Sequence, residues 1–110
     1  MTVSYSDSKI QKCCLHPAVA TKELGADSCR KLHNRLSDLM AAKTVLELIA
    51  GRPHPYKGRD ETRFSLDLSQ GKRLIFVPTR LPPPRKEDGG VDWSLVTEIT
   101  IVFLGDNHDD

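Results

Sequence analysis

Apolar residues recur along this chain in two periods, one helical and one extended, and the change falls near Pro55. Cys29, Leu32, Leu36, Leu39 and Met40 return at spacings of three and four, so they form one stripe of a helix. Arg30, Lys31, Asn34, Arg35 and Asp38 fall mostly on its other face, and Gly25-Ala26-Asp27 opens it. Upstream, Ser6-Asp7-Ser8 offers side-chain oxygens that cap a short helix running to about Cys14. His16-Pro17 breaks that helix, because proline drives the residue before it out of the helical region. Val3-Ser4-Tyr5 has room for one short strand. Thr44-Val45-Leu46-Glu47 has capping-box form and starts a second short helix, stopped by Gly51 and Pro53.

Beyond Pro55 the period drops to two. Phe64, Leu66 and Leu68 alternate with Arg63, Ser65 and Asp67, which predicts a half-buried strand. Ser69-Gln70-Gly71 is a hairpin turn, and Leu74-Ile75-Phe76-Val77 is the returning strand. Residues 78–94 contain Pro82-Pro83-Pro84 and Asp88-Gly89-Gly90. Prolines supply no ladder donors and the glycines invite a turn, so this is a long exposed connection whose length marks an interaction surface. Val96 to Leu104 is the last strand, apolar on both faces near its end and therefore central. There is no internal repeat. Helices first and a meander afterwards predict an α+β domain, with N-terminal helices packed on one face of a twisted antiparallel sheet.

The 110 residues suit one domain, 1–110, and leave no room for two. Sixteen Lys and Arg against fifteen acids argue mildly against tight nonspecific nucleic-acid binding, which depends on neutralising many phosphates. The distribution matters more than the sum. Acids gather at Asp106, Asp109 and Asp110, while Lys57, Arg59, Arg63, Lys72 and Arg73 lie close together, enough for a locally basic face. No apolar run approaches the ~20 residues of a membrane span, so no membrane partner is expected. The first residues lack the basic and apolar zones of a secretory signal. Three cysteines make an odd set too sparse for a disulfide scaffold, so a cytoplasmic location is expected. Cys29 and His33 are four apart, as helical zinc ligands sometimes are. Cys29 nevertheless lies on the apolar stripe and Cys13-Cys14 lacks a spacer, so buried thiols are expected rather than a metal site.

Four pieces, taken in order, carry a resemblance. They are the helix Arg30-Lys31-Leu32-His33-Asn34-Arg35-Leu36, the turn His54-Pro55-Tyr56-Lys57-Gly58, the strand pair Arg63-Phe64-Ser65-Leu66 and Arg73-Leu74-Ile75-Phe76, and the end Gly105-Asp106-Asn107-His108. From about Ser28 to Asp109 the chain resembles the HigB branch of the RelE-like toxins, a group also labelled plasmid-maintenance killer proteins. The resemblance implies a ribosome-dependent mRNA endonuclease, the toxin half of a toxin–antitoxin pair. Its partners would be the ribosome, mRNA and a HigA-like helix-turn-helix antitoxin, with operator DNA met only through the antitoxin complex. Lys57 matches the family's lysine, Arg73 its phosphate-binding arginine and His108 its C-terminal histidine, with Asp106 as that histidine's acidic neighbour. There are departures: Asn107 stands where tyrosine is usual, Lys72 replaces a usual tryptophan or tyrosine, and Asp67 sits where many members have a basic residue.

The chemistry is consistent with that implication. The 2′-hydroxyl of RNA can attack its own adjacent phosphate, so the enzyme need not supply a nucleophile. It must align the attack, move one proton and stabilise charge on the phosphorane, and this requires no cofactor. Arg73 offers a planar fork for phosphate oxygens, Lys57 a compact second charge, and His108 an imidazole that titrates near neutrality. Arg63, Arg59, Lys72, Asp106 and Asn107 complete the candidate RNA-binding set, although Arg59 and Arg63 fit a solvated face equally well. His54 reads as support for its turn, and Trp93 as an anchor for the long connection. A second function class stays open: a noncatalytic module of the same fold that binds an antitoxin-like partner, with Asn107 marking lost activity. Convergence of His108, Arg73 and Lys57 on one open cleft would favour the enzyme.

Overall fold

Asp7 starts the helical half of the molecule: its carboxylate accepts from Ile10 N–H at 2.9 Å and caps α1 (Ser8–Leu15). The molecule is seen in a computed structural model that describes residues 1–106. His16 ends α1 and, in extended conformation, also precedes α2 (Pro17–Leu24). The expected break is present, but Pro17 opens a new helix there. At the first helical position its missing N–H is one that would lack an intrahelical partner anyway. Only Ala20 and Leu24 of α2 are buried, too thin a stripe to register as periodic in the sequence. Gly25, at φ 88°, then turns the chain into α3 (Ala26–Ala41).

Cys29, Leu32, Leu36 and Leu39 of α3 are buried as expected, whereas Met40 is 56% exposed. Periodicity fixes the direction of a side chain, not whether anything lies there to cover it. The expected second helix is a single turn, Val45–Glu47, in which the Glu47 carboxylate accepts from Thr44 N–H at 3.2 Å. Leu48 already has extended backbone, so the chain leaves the helix before Gly51 and Pro53.

The sheet contains β1 (Thr2–Tyr5), β2 (His54–Pro55), β3 (Phe64–Asp67), β4 (Lys72–Pro78) and β5 (Glu98–Asp106), in the spatial order β1-β5-β4-β3-β2. The last strand is interior, as its apolar run predicts. From β2 to β5 all neighbours are antiparallel, but β1 runs parallel to β5, pairing Thr2 with Glu98 and Tyr5 with Ile101. The sheet is therefore mixed and not wholly antiparallel. A parallel pair needs a long crossover, and the chain between β1 and β5 supplies one. The hairpin turn is where the sequence puts it. Gln70 and Gly71 have φ of 55° and 80°, and Lys72 N–H donates to Ser69 O at 3.1 Å. No helix among the described residues is long and apolar enough to cross a membrane.

Phe64, Leu66, Leu74, Phe76, Ile99 and Ile101 alternate onto one side of the sheet and share a core with Ala20, Leu32, Leu36 and Leu39. Trp93 joins them edge-on, with its ring 4.9 Å from Phe64 and 6.4 Å from Phe76. The long connection is thus pinned by Trp93, Val91 and Pro83, while Leu81 and residues 85–89 stay exposed. The opposite side of β3 and β4 is not simply solvated. Ser65 and Ile75 are fully buried there, so β3 is covered on both faces and the half-buried expectation fails at Ser65.

Candidate functional site

Register brings the first charged pair together. Asp67 on β3 lies opposite Arg73 on β4, which in turn faces Gly105 on β5. Alternation turns both side chains away from the face of Leu66 and Leu74. Arg73 Nε is 3.0 Å from Asp67 Oδ1, but its N–H is not aligned for a hydrogen bond, so this contact is an ion pair. Arg73 Nη1 donates to Lys72 O at 3.2 Å, and the side chain keeps only 15% of its exposure.

A second guanidinium meets the same carboxylate. Arg52 donates from Nε to Asp67 Oδ2 at 2.8 Å and from Nη2 to Oδ1 at 3.2 Å, a two-pronged grip. The backbone that delivers Arg52 is bent: Gly51 and Arg52 have φ of 85° and 48°, the latter uncommon for a residue with a side chain. It is held on both sides. Asp67 N–H donates to Gly51 O at 2.6 Å, and His54 Nδ1 lies 2.7 Å from Arg52 O. Since a carbonyl only accepts, His54 carries its proton on Nδ1, which makes Nε2 the basic nitrogen of the neutral ring. Pairing of His54 with Ser65 across β2 and β3 fixes the ring's place beside this cluster.

A cationic loop follows β2. Tyr56 N–H donates to Arg63 O at 2.9 Å and closes it. Gly58 passes so near the Tyr56 ring that a Cβ there would lie 2.0 Å from a ring carbon, so any other residue would displace the ring. The Arg63 guanidinium carbon is 5.8 Å from the same ring's centre, within cation–π range. Asp60 accepts from the Thr62 hydroxyl and from Thr62 N–H and pairs with Arg63 Nε at 3.4 Å. These contacts, those of Thr62 first, hold the Asp60 carboxyl below the usual carboxylate range. Lys57 and Arg59 project outward, and with Tyr56, Gly58, Asp60 and Arg63 they line an open recess of about 670 Å³. Arg85, from the long connection, reaches Glu61 of this loop at 2.9 Å.

Other expected site residues lie elsewhere. Lys72 and Asp106 pair across β4 and β5, but on the side facing α1 and α2, where they line a cleft of about 270 Å³ with Lys9, Cys13 and Glu23. Alternation along β4 thus separates Lys72 from Arg73. Lys57 lines the recess, and Arg73 is not among its lining residues. Asn107 and His108 lie outside the described residues. Burial pushes the Cys13 thiol up, and takes Cys14 to about 12, which leaves Cys14 with very little thiolate near neutrality. Among the described residues no group of three His, Cys, Asp or Glu is placed to hold a metal ion. His33 Nδ1 donates instead to Cys29 O at 2.8 Å.

No protein-family profile, curated protein or solved structure matches this chain. Its reading rests on the residues themselves. Two of them, Arg52 and Asp67, carry more of the site than the sequence suggested. The Asp67–Arg73 pair was readable, since the hairpin turn centred on Gln70 places positions 67 and 73 opposite each other. Nothing local signals Arg52, which reaches Asp67 only through the bend at residues 51–52.

Proposed function

We propose that this protein is the toxin of a type II toxin–antitoxin system, an endoribonuclease that cuts mRNA on the ribosome and so inhibits translation. One observation carries the reading: Arg52 and Arg73 share the Asp67 carboxylate at one end of β3–β4, His54 bonds Arg52 O, and the loop that presents Lys57, Arg59 and Arg63 closes the other end of the β2–β3 hairpin. Fixed positive charge near a titratable ring is what cleavage by the RNA 2′-hydroxyl requires of a protein. The ordered sequence resemblance to HigB-type toxins supports the same assignment. In this reading Arg73 stabilises the phosphorane and Lys57 supplies a second charge. His108 moves the proton, and Arg59 and Arg63 bind the flanking RNA. No cofactor enters the scheme. The partners are the ribosome, mRNA and a HigA-like antitoxin through which operator DNA is reached, all in the cytoplasm.

The 2′-oxygen attacks the adjacent phosphorus and the 5′-oxygen leaves with a proton. The products therefore end in a 2′,3′-cyclic phosphate and a 5′-hydroxyl. The decisive experiment adds purified protein to in-vitro translation and maps the mRNA ends. A matched mRNA carries one 2′-deoxy substitution at the mapped site. Cleavage that stops at the substituted site supports the mechanism, and undiminished cleavage there rejects it. A second reading is favoured by one contact: Arg73 is engaged by Asp67 in the residue pattern where many toxins carry a base, alongside Asn107 in place of tyrosine. Under that reading the domain binds an antitoxin-like partner without cutting RNA, and translation with the protein leaves every mRNA intact.

A further inference from the structure

The large apolar side chains left in solvent are not scattered over this molecule. Among the described residues six stay exposed, and five of them, Met40, Leu46, Ile49, Leu81 and Leu95, belong to segments that meet at one end. Backbone hydrogen bonds tie that end together: Val45 N–H donates to Val96 O at 3.3 Å, and Thr79 N–H to Glu98 O at 3.0 Å. Single exposed leucines are ordinary, whereas a concentration of them marks a contact surface. Two features of this surface complement each other in shape and charge. One is a shallow groove of about 320 Å³ at the end of α3, lined by Ala42, Leu48 and Ile49 together with Asp38 and Glu47. Ile49 is 89% exposed. Asp38 pairs with Arg35 at 2.9 Å, while the Glu47 carboxylate accepts from Thr44 N–H and meets no cation among the described residues. The other feature is a ridge. Leu81 stands 75% exposed just before Pro82-Pro83-Pro84, and the neighbouring Arg80 side chain is 84% exposed. Arg80 holds Glu98 through Nε at 2.6 Å and leaves its Nη groups to solvent. The ridge is stiff: Pro83 is buried, Asp92 N–H donates to Pro84 O at 2.8 Å, and Trp93 sits in the core. A protruding side chain that is already ordered loses little freedom when it is bound.

We propose that this end is a contact between two copies of the chain, in which Leu81 of each copy enters the groove of the other and Arg80 meets Glu47. Groove and ridge lie on the same end, so a single two-fold axis can make both contacts at once: what one copy offers its partner, the partner offers in return. Charge agrees, since the groove carries an unpaired acid and the ridge a guanidinium. The chain itself supplies the group that fits its groove, which favours a second copy over a foreign peptide. The contact lies at the Pro78 end of β4 and the Asp67–Arg73 pair near its Lys72 end, so the two are separate. The inference holds whether or not the protein cuts RNA.

The test is analytical ultracentrifugation of the full chain. Wild type should sediment as a dimer at about 50 μM and dissociate on dilution, as a contact of micromolar order does. Leu81→Glu sets a carboxylate against an acidic groove, and Ile49→Lys sets an ammonium against Arg80. Each variant alone should therefore be weakened in dimerisation by about tenfold or more. Their equimolar mixture should regain the dimer, because one contact is then wild type and the other joins the new ammonium to the new carboxylate. Both positions are exposed, and Trp93 fluorescence verifies that each variant is folded. Lys22→Glu, a reversal of an exposed charge on α2, should dimerise as wild type does. A wild type that stays monomeric overturns the proposal, including one that binds a different protein through the groove. A dimer that survives either substitution, a dimer lost equally with Lys22→Glu, or a mixture that stays monomeric overturns it as well.

Discussion

The two faces of the β3–β4 hairpin use the same backbone for opposite purposes. On the side of the helices, Phe64, Leu66, Leu74 and Phe76 are buried against Trp93 and α3. On the other, Asp67 and Arg73 meet beside Arg52, with Ser65 and Ile75 between them and the loop. Fully burying each large apolar side chain is worth roughly 1.5–3 kcal/mol, whereas a partly exposed ion pair contributes about 0–1 kcal/mol. The apolar face therefore supplies the stability, and the polar face spends little of it. Charges on the second face are free to be arranged for a ligand because they are not what keeps the strands together.

The most forceful way to break this comparison is on the apolar side. Phe76→Ala removes a fully buried ring that contacts both Phe64 and Trp93, and should cost about 3–5 kcal/mol in urea unfolding. A loss below about 1 kcal/mol would mean the aromatic cluster is not the centre of the core. The same side makes a chemical prediction. With its thiol pushed to about 12 from an ordinary 9.0, Cys14 should present about a thousandfold less thiolate at pH 8 in the native protein than in urea. Rates of labelling with a disulfide reagent, with and without denaturant, check this. Equal rates would contradict its burial.

On the polar side, Arg73→Ala should reduce mRNA cleavage about a hundredfold or more, at least as much as His108→Ala, while costing less stability than Phe76→Ala. A stability loss rivalling that of Phe76→Ala would erase the distinction between the faces. The smallest effect concerns Asp60. Its carboxyl is held low in the folded state, so its contribution is present above the unfolded value and is lost as pH falls through the folded one. Asp60→Asn should therefore lower stability slightly at neutral pH and flatten the acid limb of the curve, with no difference from wild type below the folded value. Urea midpoints measured from pH 7 down to pH 3 are the readout, and an unchanged acid limb would remove Asp60 from the account.

Features written in local chemistry were legible in the sequence. The Asp7 cap, the α3 stripe, the Ser69-Gln70-Gly71 turn, the interior β5 and the anchoring Trp93 all follow from residue type and spacing. Features that depend on what lies opposite were not. α2 buries too few residues to announce itself, Ser65 is covered on a face its polarity suggested was wet, and Met40 points along the stripe into solvent. The parallel placement of β1 is a choice of tertiary partner. At the site, Lys57, Arg59 and Arg63 share a recess as their proximity suggested, yet Lys72 and Asp106 fall on the reverse side of the sheet from Arg73. The period-two rule contained that last result, since adjacent residues of one strand cannot share a face.

The pairing of β1 with β5 has a consequence for how the chain is made. Ribosomes add roughly 5–20 residues per second, so β1 exists for several seconds before β5, its neighbour in the described sheet, has been synthesised. Until β5 appears, β4 also lacks the neighbour on that side, and Ile99 and Ile101 are missing from the core. Contacts of such high sequence separation form late and slowly. The nascent polypeptide is thus denied a finished sheet until β5 has been made, a useful delay for a protein proposed to attack the machinery that is making it.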